Sequence, residues 1–181
     1  MSETKRAYVR PSRRSQSGQA FIEFTFVALM MFIMLFGLID FSRFLYEREV
    51  MVNLSREGSN LASRGTSITG TVSAVVLASN PLNLTNTGAG VIVTAVTNYG
   101  SGFQISEQLA TGGITSASSK IGNGAGTAAT LPANVINLPP ANQTLYITEV
   151  FCTYHPVTPI GKLLQVTLPP TNYDAAYFTG L

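Results

Sequence analysis

Charge, cysteine and histidine are all scarce in this chain. Only 11% of its 181 residues are charged, few for a solvated globular protein, so a good part of the 45% that are hydrophobic is expected in lipid. The single cysteine, Cys152, excludes an intramolecular disulfide framework and leaves an intermolecular disulfide open. Cys152 and the single histidine, His155, supply two metal ligands at most, so a metal site would need carboxylates or a second subunit. In a strand, residues three apart point to opposite faces, which argues against a Cys-His pair. Glu107, Glu149 and Asp174 are far apart in sequence and suggest no carboxylate pair for acid-base work. Gly122-Asn123-Gly124-Ala125-Gly126 lacks the preceding strand, following helix and downstream acid of a dinucleotide site and reads as a flexible loop. Gly161-Lys162-Leu163 lacks the upstream glycine and the following Ser or Thr of a P-loop. No catalytic, cofactor-binding or metal-binding residue is therefore assigned, and the chain is not expected to be an enzyme or to take a small-molecule substrate.

The charges that are present are unevenly placed. Lys5, Arg6, Arg10, Arg13 and Arg14 stand against Glu3 at the N-terminus, whereas residues 19–181 are net acidic. A basic tail of this kind has some phosphate affinity. Directly before an apolar run it reads instead as a cytoplasmic retention signal under the positive-inside rule, and no nucleic-acid partner is expected. Residues 24–39 carry no charge and one weakly polar side chain, Thr25. As a helix they span about 24 Å, and Ala20 to Ile22 on one side with Phe41, Phe44, Leu45 and Tyr46 on the other bring the segment to bilayer length. Asp40-Phe41-Ser42-Arg43 follows the run, where a secretory signal would carry a small-x-small cleavage site, so the segment is expected to remain attached. A run this apolar has no polar face to show solvent, which argues against a buried helix of a soluble protein.

From Asp40 to Arg64 the pattern stays helical, with Phe44, Met51, Leu54, Gly58, Leu61 and Gly65 on one stripe. Asp40 with Arg43, and Arg43 with Glu47, are spaced to pair along the surface. Composition then changes at Gly65. Beyond it the charges are Glu107, Lys120, Glu149, Lys162 and Asp174, amid many Thr, Ser, Asn, Gly and Ala residues. Val72 to Ala78 is expected to form a short helix stopped at Asn80-Pro81. Gly90 to Tyr99 and Leu145 to Tyr154 read as strands from their β-branched and aromatic content, and Leu163 to Leu168 is a third candidate. Residues 108–142 read as a long Gly/Ala/Ser/Thr-rich loop. The expected fold is α+β: a long N-terminal transmembrane helix continuing into an extracytoplasmic helix, then a small antiparallel-sheet domain with long Gly/Thr-rich loops. The divisions are a basic leader (1–18), a transmembrane helix (19–46), a helix extension (47–65) and a β-containing domain (66–181).

Glu23 is the anomaly, a carboxylate at the mouth of a membrane segment. Its position is explained if Gly18 marks a cleavage point, because Glu23 then becomes the fifth residue of a chain beginning at Gln19. Gly18-Gln19-Ala20-Phe21-Ile22-Glu23-Phe24 resembles the opening of the TadE-like family of minor pilins from the tight-adherence (type IVc) pilus system. Gly37-Leu38-Ile39-Asp40-Phe41-Ser42-Arg43 is similar to the family's exit from the membrane. Asn53-Leu54-Ser55-Arg56-Glu57-Gly58, followed by Ala62, is similar to its Asn-Ala-Ala-Arg-Glu-Gly-Ala-Arg stretch, and Tyr154-His155-Pro156-Val157-Thr158-Pro159 resembles a turn near the family's end. Three features depart from the pattern: Leu29 where proline is frequent, Ser59-Asn60 in place of Ala-Arg, and the long Gly/Thr-rich segment.

The resemblance implies a pseudopilin cut between Gly18 and Gln19 by a prepilin peptidase, with Glu23 and Phe24 critical for assembly. Gly37, Asp40, Arg43, Arg56, Glu57 and Gly58 are the helix positions that carry the family motif. The implied partners are the peptidase, other pilin and minor pilin subunits, and the cytoplasmic membrane, crossed once with the N-terminus inside. A small residue before the scissile bond suits a peptidase working at the membrane face. A neighbour's new amino group at Gln19 would neutralise Glu23 during packing. The competing reading is an unprocessed single-span membrane protein whose outer domain binds a surface or another protein.

Overall fold

A single α-helix of 51 residues, α1 (Arg13–Ser63), organises the chain. The computed structural model describes residues 13–133, 135, 138–159, 161–164 and 171–180. The first twelve residues of the basic leader lie outside the described residues. At about 1.5 Å per residue α1 is roughly 76 Å long. It ends where Gly65 takes φ +93°. Gly65 N–H then donates to the Ala62 carbonyl at 3.1 Å and Thr66 N–H to the Leu61 carbonyl at 3.2 Å, the paired closure that a left-handed residue permits. Ser67 caps the next helix, α2 (Ile68–Leu77), by accepting from Gly70 N–H.

Four strands follow, β1 (Gly90–Asn98), β2 (Phe103–Gly112), β3 (Thr144–Thr153) and β4 (Thr171–Thr179). They form one antiparallel sheet in the order β2-β1-β3-β4. The two strands expected from β-branched content are the central pair, and the edge strands lie outside the segments that this content marks. Residues 108–112, expected in a loop, belong to β2, whose pairing with β1 is interrupted by an irregularity at Ala95/Val96 that breaks its alternation. Strand β4 contains Asp174, Ala175 and Ala176, residues poor in strand preference. The proposed strand Leu163 to Leu168 is overturned at its start, where Leu163 and Leu164 close the short helix α3 (Gly161–Leu164); residues 165–168 lie outside the described residues.

Period-two alternation gives the sheet two apolar faces. On one, Val91, Val93, Ala95, Val150 and Cys152 pack with Met51, Leu54 and Ala62 of α1 and Ile68, Val72 and Val75 of α2. On the other, Val96, Ile105, Leu145 and Ile147 are covered by Ile121, Ala129, Leu131 and Val135. The Gly/Thr-rich segment between β2 and β3 is therefore a third layer. Its glycine run is tied to β2, not free: Gly126 N–H donates to the Ile105 carbonyl at 2.7 Å and Gly124 N–H to Gln108 Oε1 at 2.7 Å. Glu149, fully buried, holds the same layer by accepting from Ser119 Oγ at 2.5 Å, Lys120 N–H at 2.9 Å and the Tyr173 hydroxyl at 3.0 Å. A buried carboxylate is costly without such partners. The Lys120 ammonium in turn lies 3.5 Å from the centre of the Tyr173 ring.

Candidate functional site

The long helix is two different objects joined at Asp40. From Gly18 to Ile39 its side chains are exposed or half-exposed, including Phe24 (70%) and Met34 (75%). It is long and apolar enough to cross a membrane, and none of its most apolar window is buried. From Asp40 onward one face is the spine of the domain: Asp40, Phe44, Met51, Leu54, Ser55, Gly58, Ser59, Ala62 and Ser63 are buried. The expected stripe is there but rotated, because Leu61 is only half-buried and Ser55, Ser59 and Ala62 make the close approach.

Small residues on that face allow contact with the sheet. A Cβ on Gly58 would lie 2.8 Å from Thr148 Cγ2 and Oγ1 and 2.9 Å from Val75. The next residue, Ser59, donates from Oγ to the Ala176 carbonyl at 2.7 Å and accepts from Thr148 N–H at 2.9 Å, bridging β3 and β4. Ser55 donates to Asp174 Oδ2 at 2.5 Å. Ser59 and Ser55 thus stitch helix to sheet. Arg56 and Glu57 sit on the opposite, exposed face.

Asp40 closes this contact at its lower end. Fully buried, its carboxylate accepts from Val157 N–H at 3.0 Å, Thr158 N–H at 3.3 Å and the Thr158 hydroxyl. Its carbonyl accepts from the Tyr154 hydroxyl at 2.8 Å, and Phe44 meets the Tyr154 ring edge-on at 5.4 Å. Burial, then the charges of Asp40 and Glu47, push the Tyr154 phenol up and keep it a donor. Asp40 is therefore taken up by the loop after β3 instead of serving as a surface partner for Arg43, which stays exposed. That loop is the Tyr154-to-Pro159 turn singled out in the sequence.

At the other end of the apolar stretch the hydrogen bonds among the described residues stay within the helix. Gln19 Nε2 donates to Glu23 Oε1 at 3.0 Å, one turn along an exposed face. Added Cβ atoms on Gly18 and Gly37 would find nothing within 4 Å. Unlike Gly58, neither glycine is required by packing among the described residues.

Cys152 and His155 come closer than alternation along a strand allows. Strand β3 ends at Thr153, so His155 lies in the loop, and both residues line a cavity of about 300 Å³ together with Arg43, Glu47, Asn83 and Asn86. The opposite-face expectation is overturned. The thiol does not gain reactivity from this: it faces the Thr153 carbonyl at 3.8 Å, and burial, with the Glu47 charge, pushes it up to about 11. Among the described residues no group of three or more His, Cys, Asp or Glu side chains is arranged to hold a metal ion.

Residues 18–60 match the family described as TadE-like protein, the family that the sequence motifs resemble. No curated protein and no solved structure matches the chain. The matched stretch covers the bare apolar segment, the Asp40 junction and the packing face through Gly58 and Ser59. It stops before the sheet.

Proposed function

We propose that this chain is a minor pilin of a tight-adherence pilus, made as a precursor and cut between Gly18 and Gln19 by a prepilin peptidase. The observation that carries the proposal is the contrast within α1: a bare apolar rod up to Ile39 running without a break into the spine of a compact domain. Such a rod is satisfied by lipid before assembly and by neighbouring rods after it. The basic leader directs the N-terminus to the cytoplasm, leaving the sheet domain outside.

Gly18 and Gly37 fit this role because the isolated chain gives neither a steric reason to be glycine. A small residue at 18 admits the peptidase, and one at 37 admits a neighbouring helix. Cleavage creates an amino group at Gln19, one helical turn from Glu23. An unpaired carboxylate in lipid costs a few kcal/mol, so a neighbour's amino group placed against Glu23 makes association favourable and fixes its register. The buried, protonated Cys152 and the supporting roles of Asp40 and Glu149 give a structural account of the polar groups that needs no catalysis.

The deciding experiment is intact mass and N-terminal sequence of the membrane-extracted protein from cells with and without the peptidase. A chain beginning at Gln19 only when the peptidase is present is expected. A chain retaining its leader in both would replace the pilin reading by that of an unprocessed, single-span membrane protein.

A further inference from the structure

The domain is hung along α1 in a fixed order. Gly58 and Ser59 meet the middle of β3 at Thr148, and Ser55 meets Asp174. Lower down, Glu47 shares a cavity with Cys152 at the end of β3, and Asp40 meets Tyr154, Val157 and Thr158. From Ser59 down to Asp40 is about 28 Å of helix. The loop that follows β3 is consequently the pole of the domain nearest the bare apolar rod, which begins one residue away at Ile39. A Cβ on Gly161 would run into Pro156 and the Asp40 carboxylate, so the loop is wrapped tightly round the helix at this level. The opposite pole carries the β1–β2 turn at Tyr99, since β1 runs antiparallel to β3 with Thr97 opposite Thr144.

This pole has the chemistry of a membrane-surface contact. Val157 is 61% exposed although both flanking backbone amides are engaged in the fold; Pro159 is exposed as well. Two exposed cations, Arg43 and Lys162, stand beside them, while the acids at this level, Asp40 and Glu47, are buried and half-buried. Apolar side chains at the acyl boundary with cations toward the phosphates is the arrangement that holds a surface segment on anionic lipid.

We propose that the turn formed by residues 154–159, with Lys162 beside it, rests on the membrane surface, with Val157 and Pro159 in the headgroup layer and Arg43 and Lys162 facing anionic phospholipid, so that the domain is seated on the bilayer. This rests on the reading that the apolar part of α1 spans the membrane. Asp40, which binds the turn, sets the depth at which α1 stops being lipid-facing.

The chain contains no tryptophan, so single tryptophans report position directly. Three full-chain variants, Phe32→Trp in the apolar rod, Val157→Trp in the turn and Tyr99→Trp at the far pole, are reconstituted into vesicles of phosphatidylethanolamine and phosphatidylglycerol. Nitroxide lipids labelled either near the glycerol or at mid-chain, in both leaflets, serve as quenchers. Expected are mid-chain quenching of Phe32→Trp, and blue-shifted emission of Val157→Trp with shallow quenching several-fold stronger than for Tyr99→Trp. Quenching of Val157→Trp no stronger than that of Tyr99→Trp, with Phe32→Trp still quenched, overturns the seated domain and leaves the membrane span standing. An unquenched Phe32→Trp overturns the span and the proposal together.

Discussion

The Cα of Gly58 approaches Thr148 so closely that a single added carbon would come within 2.8 Å of both side-chain branches of that threonine. Helix and sheet meet there with no side chain on the helix at 58 and that of Thr148 lying directly against the helix backbone. Gly58→Ala is expected to destabilise the folded domain by about 1–3 kcal/mol through overpacking, whereas Gly37→Ala, which meets nothing, leaves unfolding unchanged. Thermal denaturation of the detergent-solubilised variants checks both. Equal melting of Gly58→Ala and the parent chain would show that the helix is not pressed on the sheet.

Asp40 holds the loop after β3 with three acceptor contacts from its carboxylate and one from its carbonyl. Asp40→Asn replaces one carboxylate oxygen by a donor facing donors, and a loss of about 1.5–3 kcal/mol is expected, as for hydrogen bonds to a charged group. Tyr154→Phe removes only one neutral donor and is expected to cost about 1 kcal/mol. Limited proteolysis should register Asp40→Asn as faster cutting between Tyr154 and Lys162, with the sheet still protected.

Glu149 plays the corresponding part on the other face, where it clamps Ser119 and Lys120 over Ile147 and its neighbours. In Glu149→Gln one of three donors loses its acceptor, at a cost of about 1–3 kcal/mol. Hydrogen exchange is expected to rise first at the Lys120 amide and along the segment between β2 and β3, before the central strands. Uniform loss of protection across the sheet would count against a local clamp.

Cys152 tests burial by pH. Its thiol is pushed from an ordinary 9.0 up to about 11, first by burial and then by Glu47. At pH 8 the folded chain accordingly holds about a hundredfold less thiolate than the unfolded chain, and labelling by iodoacetamide should slow at least in proportion. Because the unfolded thiol ionises first as pH rises, the stabilising contribution is intact below about 9 and is lost progressively toward about 11. Cys152→Ser should flatten that part of the stability profile.

Glu23 tests assembly. On the proposed pilin reading, Glu23→Ala is expected to leave membrane insertion and cleavage intact and to lower recovery of assembled pili by about tenfold or more, the pairing that this reading gives Glu23 being set by the few kcal/mol that an unpaired carboxylate costs in lipid. Full pilus recovery from the variant would remove Glu23 from the assembly step.

The parts of this fold that were legible in the sequence are those written in local or periodic chemistry. The charge-free run to Ile39 and the stop at Gly65 define α1. Asn80-Pro81 marks the stop after α2, whose start at Ile68 lies ahead of the expected Val72, and the dense Val, Ile, Thr and Tyr content marks β1 and β3. The edges were not legible for a physical reason. Strand β2 exposes much of its polar side and carries an irregularity against β1, while β4 contains weak strand formers held in place by Ser55 and Ser59 of α1. Their extended state comes from partners more than a hundred residues away in the case of β4.

The sequence by itself determined that one stretch of this protein is apolar enough to cross a membrane, that a basic segment precedes it, and that a carboxylate waits near its start, because hydropathy and charge are properties of the residues themselves. Tertiary structure decided which charges are hidden and what they hold. Asp40 reads as a surface acid on a helix and is instead the anchor of a loop, Glu149 reads as an isolated strand carboxylate and is the clamp of a whole layer, and Ser59 joins two strands. Each of these roles is set by donors brought from distant parts of the chain, and only folding brings them within hydrogen-bonding reach.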